Sequence, residues 1–206
     1  MQRFTRLTAV AVPLAQKNVN TDAILPARFM RRPRDERYPD YLFHDRRFLP
    51  DGSENPDFVL NRTPWRGARI LIGGSNFGCG SSRETAVYAL RDYGFRALIA
   101  PSFGDIFAAN CIRNGVLPVR LEEDVVARLR DIAASGALAE MTVDLEAQRV
   151  SAPGHPPVRF EIDPFDRECL LGGLDDIDVT LREETAIARF EVDYKAEFAW
   201  LYRRGR

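Results

Sequence analysis

The sequence predicts an α/β fold built on a mixed, partly parallel sheet. Between Ala68 and Ser135, short apolar stretches bounded by Gly or Pro alternate with amphipathic helical stretches, the pattern of strands paired in parallel through helical crossovers. Two later apolar stretches, Met141–Leu145 and Val158–Ile162, have no helix between them and read as two strands paired around Gly154 to Pro157. The length of 206 residues, with 45% apolar and 29% charged, is enough for one sizeable core. No internal repeat or low-complexity linker divides the chain, so residues 1–206 are read as one domain.

The elements follow in order. Met1 to Gln16 is read as a first buried strand ending near Pro13. Arg3 and Arg6 ahead of the apolar Leu7–Ala15 give it only a weak likeness to an export signal. Phe29 to Arg66 is rich in Arg, Asp and Pro and reads as a long excursion with a short helix or strand around Tyr41 to Phe48, part of it mobile without a partner. Ala68–Ile72 is a strand that runs into Gly73-Gly74-Ser75-Asn76-Phe77-Gly78-Cys79-Gly80, followed by a helix from Ser82 to about Tyr93 closed by Gly94. Phe95–Ala100 is a strand stopped by Pro101, and Ser102 with Asp105 three residues on resembles a capping box for a helix that Gly115 ends. Val116–Leu121 reads as a strand and Glu122–Ser135 as an amphipathic helix with Gly136 past its end. From Pro164 the chain reads as mostly helical, and Leu181 to Arg203 as a solvated amphipathic cap.

Composition excludes several classes of function. A net charge of -1 supplies no basic field for phosphates, so no nucleic-acid partner is expected. No stretch is long and apolar enough to span a bilayer, so no membrane partner is expected either. Cys79, Cys111 and Cys169 are odd in number and far apart, which argues against a disulfide framework and for the cytoplasm. With only His44 and His155 to add, the chain is not expected to assemble a zinc or iron-sulfur site alone. Cys111 and Cys169 read as core, Cys79 as a space-filling loop thiol, and both histidines as surface residues.

The glycine loop carries the chemistry. Gly78-Cys79-Gly80-Ser81-Ser82-Arg83-Glu84 puts glycines just ahead of a helix, where backbone N–H groups can approach an anion. The helix end adds roughly half a positive charge, and Arg83 adds a planar fork matched to a carboxylate, with the Ser81 hydroxyl facing the same ligand. A plainer reading makes Ser81 an N-cap with Glu84 as its capping-box partner, worth about 1 kcal/mol, which leaves the arginine and the glycines unexplained. The dinucleotide fingerprint fails for want of a third glycine, the P-loop because Cys79 stands where lysine is needed, and the esterase elbow because Gly80-Ser81-Ser82-Arg83-Glu84 lacks its second glycine.

The stretch Asn76-Phe77-Gly78-Cys79-Gly80-Ser81-Ser82-Arg83-Glu84 resembles the signature of isopropylmalate isomerase small subunits in the aconitase superfamily and, more distantly, of the last domain of aconitase. Asn18-Val19-Asn20-Thr21-Asp22-Ala23-Ile24-Leu25-Pro26 resembles a second family signature. Asp92-Tyr93-Gly94-Phe95, Ile99-Ala100-Pro101-Ser102-Phe103 and Asp105-Ile106-Phe107 resemble a third. Asn55 to Asn61 and Val143 to Gln148 are similar to the bacterial small subunit, so the likeness covers nearly the whole chain.

The resemblance implies a three-layer β/β/α swivelling domain, with 29–66 as a substrate or lid loop and 181–206 as a C-terminal helical cap. It implies the small subunit of a hydro-lyase, a heterodimer or heterotetramer, that interconverts 2-isopropylmalate and 3-isopropylmalate by dehydration and rehydration in leucine biosynthesis. The 4Fe-4S cluster would sit on the large subunit, none would be bound by this chain, and the cluster's open iron would take the departing hydroxyl. Ser81 would be the alkoxide base, while Ser82 and Arg83 would hold the dicarboxylate substrate. In the specificity loop beginning at Arg28, Phe29 and Met30 would meet the alkyl branch and Arg31 a carboxylate, against the equal reading of a solvated basic loop.

Where the family usually continues His-Ala-Pro-Trp-Ala-Leu after the signature, this chain reads Thr85-Ala86-Val87-Tyr88-Ala89-Leu90, and Ser75 stands where many relatives carry an acid. These departures keep open a paralogous hydratase for another alkyl-substituted malate or maleate. A non-catalytic carboxylate-binding module and a homologue that has lost activity stay open beside it.

Overall fold

The computed structural model describes residues 1–81, 83–135 and 140–202. Its frame is one seven-stranded sheet: β1 (Arg6–Leu14), β2 (Ile70–Gly73), β3 (Ala97–Ala100), β4 (Leu117–Arg120), β5 (Glu140–Asp144), β6 (Arg149–Ala152) and β7 (His155–Arg159), in the order β4-β3-β2-β1-β5-β6-β7. The nine-residue β1 belongs to both halves. Its second half, Ala11–Leu14, pairs in parallel with β2, and its first half, Arg6–Val10, pairs antiparallel with β5. β3 and β4 extend the parallel half, whereas β6 and β7 extend the antiparallel half as consecutive hairpins.

Alternation along the strands fills two cores. Val12, Leu14, Leu71, Leu98 and Ala100 face one side, where α3 (Glu84–Tyr93) packs Ala86, Val87, Ala89 and Leu90 and α4 (Asp105–Arg113) adds Phe107 and Cys111. Ala9, Ala11, Ile70, Ile72, Ala97 and Ile99 face the other, covered by Val126, Leu129 and Ala133 of α5 (Glu123–Ala134) and Leu170 of α6 (Pro164–Gly172). Burial on both faces is why the parallel strands read as unbroken apolar runs.

The long excursion is more built than a lid loop. It holds a short helix α2 (His44–Arg47) and three 3-10 turns, and it sends Tyr38, Leu42, Phe43 and Leu60 into the first core. Buried Arg47 ties it together by donating to the carbonyls of Pro39 and Leu42 at 2.9 and 3.3 Å, and desolvation lowers its pKa.

Three expectations need correction. The strand expected at Val158–Ile162 is β7, lying a few residues earlier, and β6 was missed; β6 stands between β5 and β7, so those two are not partners. Pro156 and Pro157 hid the shift, since proline reads as a strand breaker, yet β7 is an edge strand where missing N–H groups cost little. The helix expected from Ser82 begins at Glu84 with Arg83 as N-cap, and no side chain among the described residues caps it, so the Ser81–Glu84 capping box does not form. The expected C-terminal cap covers no core: α7 (Asp176–Leu181) and α8 (Glu184–Glu197) bury none of their residues, and 203–206 lie outside the described residues.

Candidate active site

Three loops leave the carboxyl ends of β1, β2 and β3, the edge at which open α/β sheets bind ligands. Each carries one of the motif stretches, and the backbone stitches them together. The Gly78 N–H donates to the Val19 carbonyl at 2.7 Å, and the Thr21 N–H to the Cys79 carbonyl at 3.1 Å. Phe77 and Gly104 exchange a second set, with the Phe77 N–H on the Ser102 carbonyl at 3.0 Å and the Gly104 N–H on the Phe77 carbonyl at 2.9 Å. Asn18 and Asn76 both adopt positive φ, and their side chains join at 2.8 Å. Asn tolerates that backbone better than most residues, which accounts for its presence at both turns.

Gly78 is forced by the same geometry. Its φ is +73°, and a Cβ there would lie 2.1 Å from the ring of Phe107, itself buried between Phe77 and Phe103. The loop thus lies directly on the aromatic floor of the first core.

The short helix α1 (Thr21–Ile24), capped by the Asn20 side chain accepting from the Ala23 N–H at 2.7 Å, fixes the reactive end of the loop. The buried Thr21 hydroxyl donates to the Ser81 carbonyl at 2.7 Å. The carboxylate of Asp22 accepts from Nη1 of Arg83. Ser81 is exposed, Arg83 is partly buried, and the N–H groups of Gly80 and Ser81 donate to no protein acceptor among the described residues. An exposed hydroxyl, unengaged amides and a guanidinium on one short loop have the chemistry to receive a carboxylate.

Ser81 and Arg83 are thus held on one template, and Ser82 lies outside the described residues. The other three expected residues follow α1 along the chain, in and after the 3-10 turn Ala27–Phe29. Phe29 stacks on Tyr41 with ring centroids 4.4 Å apart and touches the ring of His44 at 4.7 Å. Met30 and Arg31 are exposed, and Arg31 pairs with no carboxylate among the described residues. Thr21 and Asp22 were not singled out by sequence reasoning; the only signal for them was their place in the second motif stretch.

The aconitase C-terminal domain family matches residues 1–124, more than half of the chain, and the LeuD_N family matches residues 127–164. The chain belongs to the 3-isopropylmalate dehydratase small-subunit family. It is 52% identical over 200 residues to the 3-isopropylmalate dehydratase small subunit of Rhodospirillum centenum, covering 97% of this chain and 98% of that one. It is 51% identical to the protein of the same name from Granulibacter bethesdensis, covering 98% and 97%. In fold it resembles the crystal structure of 3-isopropylmalate dehydratase from Methanocaldococcus jannaschii, with a TM-score of 0.64 and 24% identity over 89% of this chain and 98% of that one.

Three departures from the family's helix sequence can now be placed. Val87 is buried in the first core, Tyr88 faces the excursion, where it lies under Arg34, and the Thr85 hydroxyl is buried without a hydrogen-bond partner among the described residues. The cysteines do not form a common donor set. Cys111 lies in the first core, where burial pushes its thiol pKa well up; Cys169 lines a cavity of about 410 Å³ beside α4 and α6; Cys79 is on the glycine loop. No group of three or more His, Cys, Asp or Glu among the described residues is arranged to hold a metal ion.

Proposed function

We propose that this chain is the small subunit of a heteromeric hydro-lyase that interconverts 2-isopropylmalate and 3-isopropylmalate by loss and readdition of water, a cytoplasmic step toward leucine. The observation that carries the reading is the convergence of the three motif loops on one sheet edge, with exposed Ser81 and the Arg83 guanidinium presented by α1. The relatives at about half identity bear the name of that enzyme's small subunit.

In this reading the Ser81 oxygen accepts the carbon-bound proton beside a substrate carboxylate, and Arg83, with Ser82, holds that carboxylate. No histidine serves Ser81 as a base: His44 lies between the rings of Phe29 and Phe48, and His155 bonds the carbonyl of Pro156 on an edge strand. Activation must therefore come from donors that stabilise the alkoxide, namely the unengaged loop amides and the neighbouring guanidinium. Such stabilisation is strong only where water is excluded, and Ser81 is exposed to solvent in this chain alone, which supports a site completed by a partner. A large subunit closing over the loop completes the site, so the isolated chain is inert. Phe29 and Met30 then border the alkyl branch, and Arg31 takes the second carboxylate. The donor set here does not fit a 4Fe-4S cluster, which belongs to the large subunit, and the whole chain acts as one swivelling domain.

The test mixes the purified chain with its cluster-loaded large subunit and follows the ultraviolet absorbance of the alkene intermediate. Turnover of 3-isopropylmalate by the mixture, by neither subunit alone, and its loss of at least about 100-fold in Ser81→Ala are expected. Full activity in Ser81→Ala would overturn the assignment of the base; no turnover with an intact cluster would overturn the reaction.

A further inference from the structure

The segment expected to meet the substrate's alkyl branch is anchored at both ends. Phe29 stacks on Tyr41, and Tyr41 meets the buried Tyr38 edge-on at 5.7 Å. Five residues later, Arg34 reaches across to α3. Its Nε and Nη2 donate to the two oxygens of Asp92 at 2.5 and 2.6 Å, and its guanidinium lies 4.4 Å above the ring of Tyr88. A two-pronged Arg–carboxylate pair with the same guanidinium seated on an aromatic face fixes both distance and orientation. Only Met30, Arg31, Arg32 and Pro33 lie between the anchors, and five peptide units span at most about 18 Å, so Met30 and Arg31 are tethered close to both anchors.

The far side of the clamp is α3, the helix that issues from the catalytic loop at Arg83. Tyr88 and Asp92 are four residues apart and so lie on one face of it. We infer that Arg34, Tyr88 and Asp92 form a clamp that sets the standoff of Met30 and Arg31 from Ser81, and so are positioning residues that determine which alkyl branch is accepted. The inference rests on the proposed function, because it assigns a role within that substrate site. None of the three need touch substrate. Their effect is read as discrimination between a long and a short branch.

The test uses the chain reconstituted with its large subunit and compares kcat/KM for 3-isopropylmalate with that for citramalate, whose branch is a single methyl. Asp92→Asn and Arg34→Ala release the clamp, and Arg34→Lys keeps the charge but lacks the fork. Release is expected to change the ratio of the two kcat/KM values about tenfold while leaving kcat for the better substrate within about twofold, with Arg34→Lys in between. Equal falls for both acids would mean a merely structural role and would overturn the inference, as would an unchanged ratio.

A second readout needs no activity. In the isolated chain, tryptic cleavage at the exposed Arg31–Arg32 bond is expected to quicken at least fivefold in Asp92→Asn, with circular dichroism unchanged; an unchanged rate would sink the clamp. If the unaltered complex turns over neither acid, the proposed function fails and the specificity role with it, while the trypsin rates still decide whether the clamp exists.

Discussion

Replacing Gly78 by alanine tests whether the glycine loop is pinned to the core as the geometry requires. Two costs add. The backbone at Gly78 has φ +73°, which an L-residue adopts at a cost of about 1–2 kcal/mol. The new methyl would also lie 2.1 to 2.6 Å from three atoms of the Phe107 ring, which is 1% exposed and packed on Phe77 and Phe103. Relieving such an overlap by shifting packed side chains or backbone costs about 1–3 kcal/mol more. Gly154, in the turn between β6 and β7, is the internal control, because its φ is +68° but nothing lies within 4 Å of its would-be Cβ. Gly154→Ala is expected to cost about 1–2 kcal/mol and Gly78→Ala about 2–5 kcal/mol. For a chain of this size each kcal/mol moves Tm by about 2–4 °C, so calorimetry separates the two. A Phe107→Ala background should bring Gly78→Ala down to the cost of the control. Equal destabilisation by the two glycine changes in the unaltered background would refute the claim that the loop rests on Phe107.

Thr85→Val removes a buried hydroxyl that has no partner among the described residues while keeping the branched shape, so it is expected to raise stability by about 1 kcal/mol and Tm by about 2–4 °C. A lower Tm in calorimetry would show that the hydroxyl is satisfied after all. Thr21→Val deletes the bond to the Ser81 carbonyl and is expected to cost about 1–2 kcal/mol of stability but a larger factor, about 10–100-fold, in kcat of the reconstituted complex, because it frees the segment that carries Ser81, the proposed base. Steady-state kinetics showing kcat unchanged would mean that α1 does not position Ser81.

The parallel half of the fold was legible because burial on both faces makes β2, β3 and β4 apolar at every position or nearly so, and glycine or proline punctuates each crossover. The antiparallel half was not. Arg149–Ala152 has one fully buried residue, Val150, and β7 carries two prolines on an edge, so neither shows the alternation from which strands are read. The excursion defeated periodicity for another reason: its core residues Tyr38, Leu42, Phe43 and Leu60 hang from single turns. Of the site, the loop of Ser81 and Arg83 was legible as a string of residues. Its template was not, since the contacts of Thr21 and Asp22 with that loop bridge about sixty positions and leave no local mark. The helix start was misread because Ser82 and Ser81 resemble caps; the extended backbone of Arg83 takes that place, and the Glu84 carboxylate accepts from Asn114 at 2.9 Å instead.

The pairing of Arg83 with Asp22 bears on why the loop carries arginine. A guanidinium has five N–H donors in a rigid plane, and Asp22 engages only Nη1. The pair therefore orients the plane without exhausting it. In the proposed site the other donors are left for a substrate carboxylate, and the Asp22 charge balances the guanidinium. A lysine in the same place would have one compact charge to divide between Asp22 and the substrate, so whatever it gave to positioning it would lose to binding. The same division of labour recurs at Arg34, where Asp92 takes the fork and Tyr88 the face. At Arg34 both demands are met by the protein; at Arg83 one is met by Asp22 and the other is the ligand's in the proposed reading. Because Asp22 sits on α1 and α1 leads directly into the Ala27–Phe29 turn, the orientation of Arg83 and the course of the segment proposed to select the branch are set by one short piece of chain. Under the proposed function, a change in the seating of α1 is therefore expected to alter carboxylate binding and branch selection together.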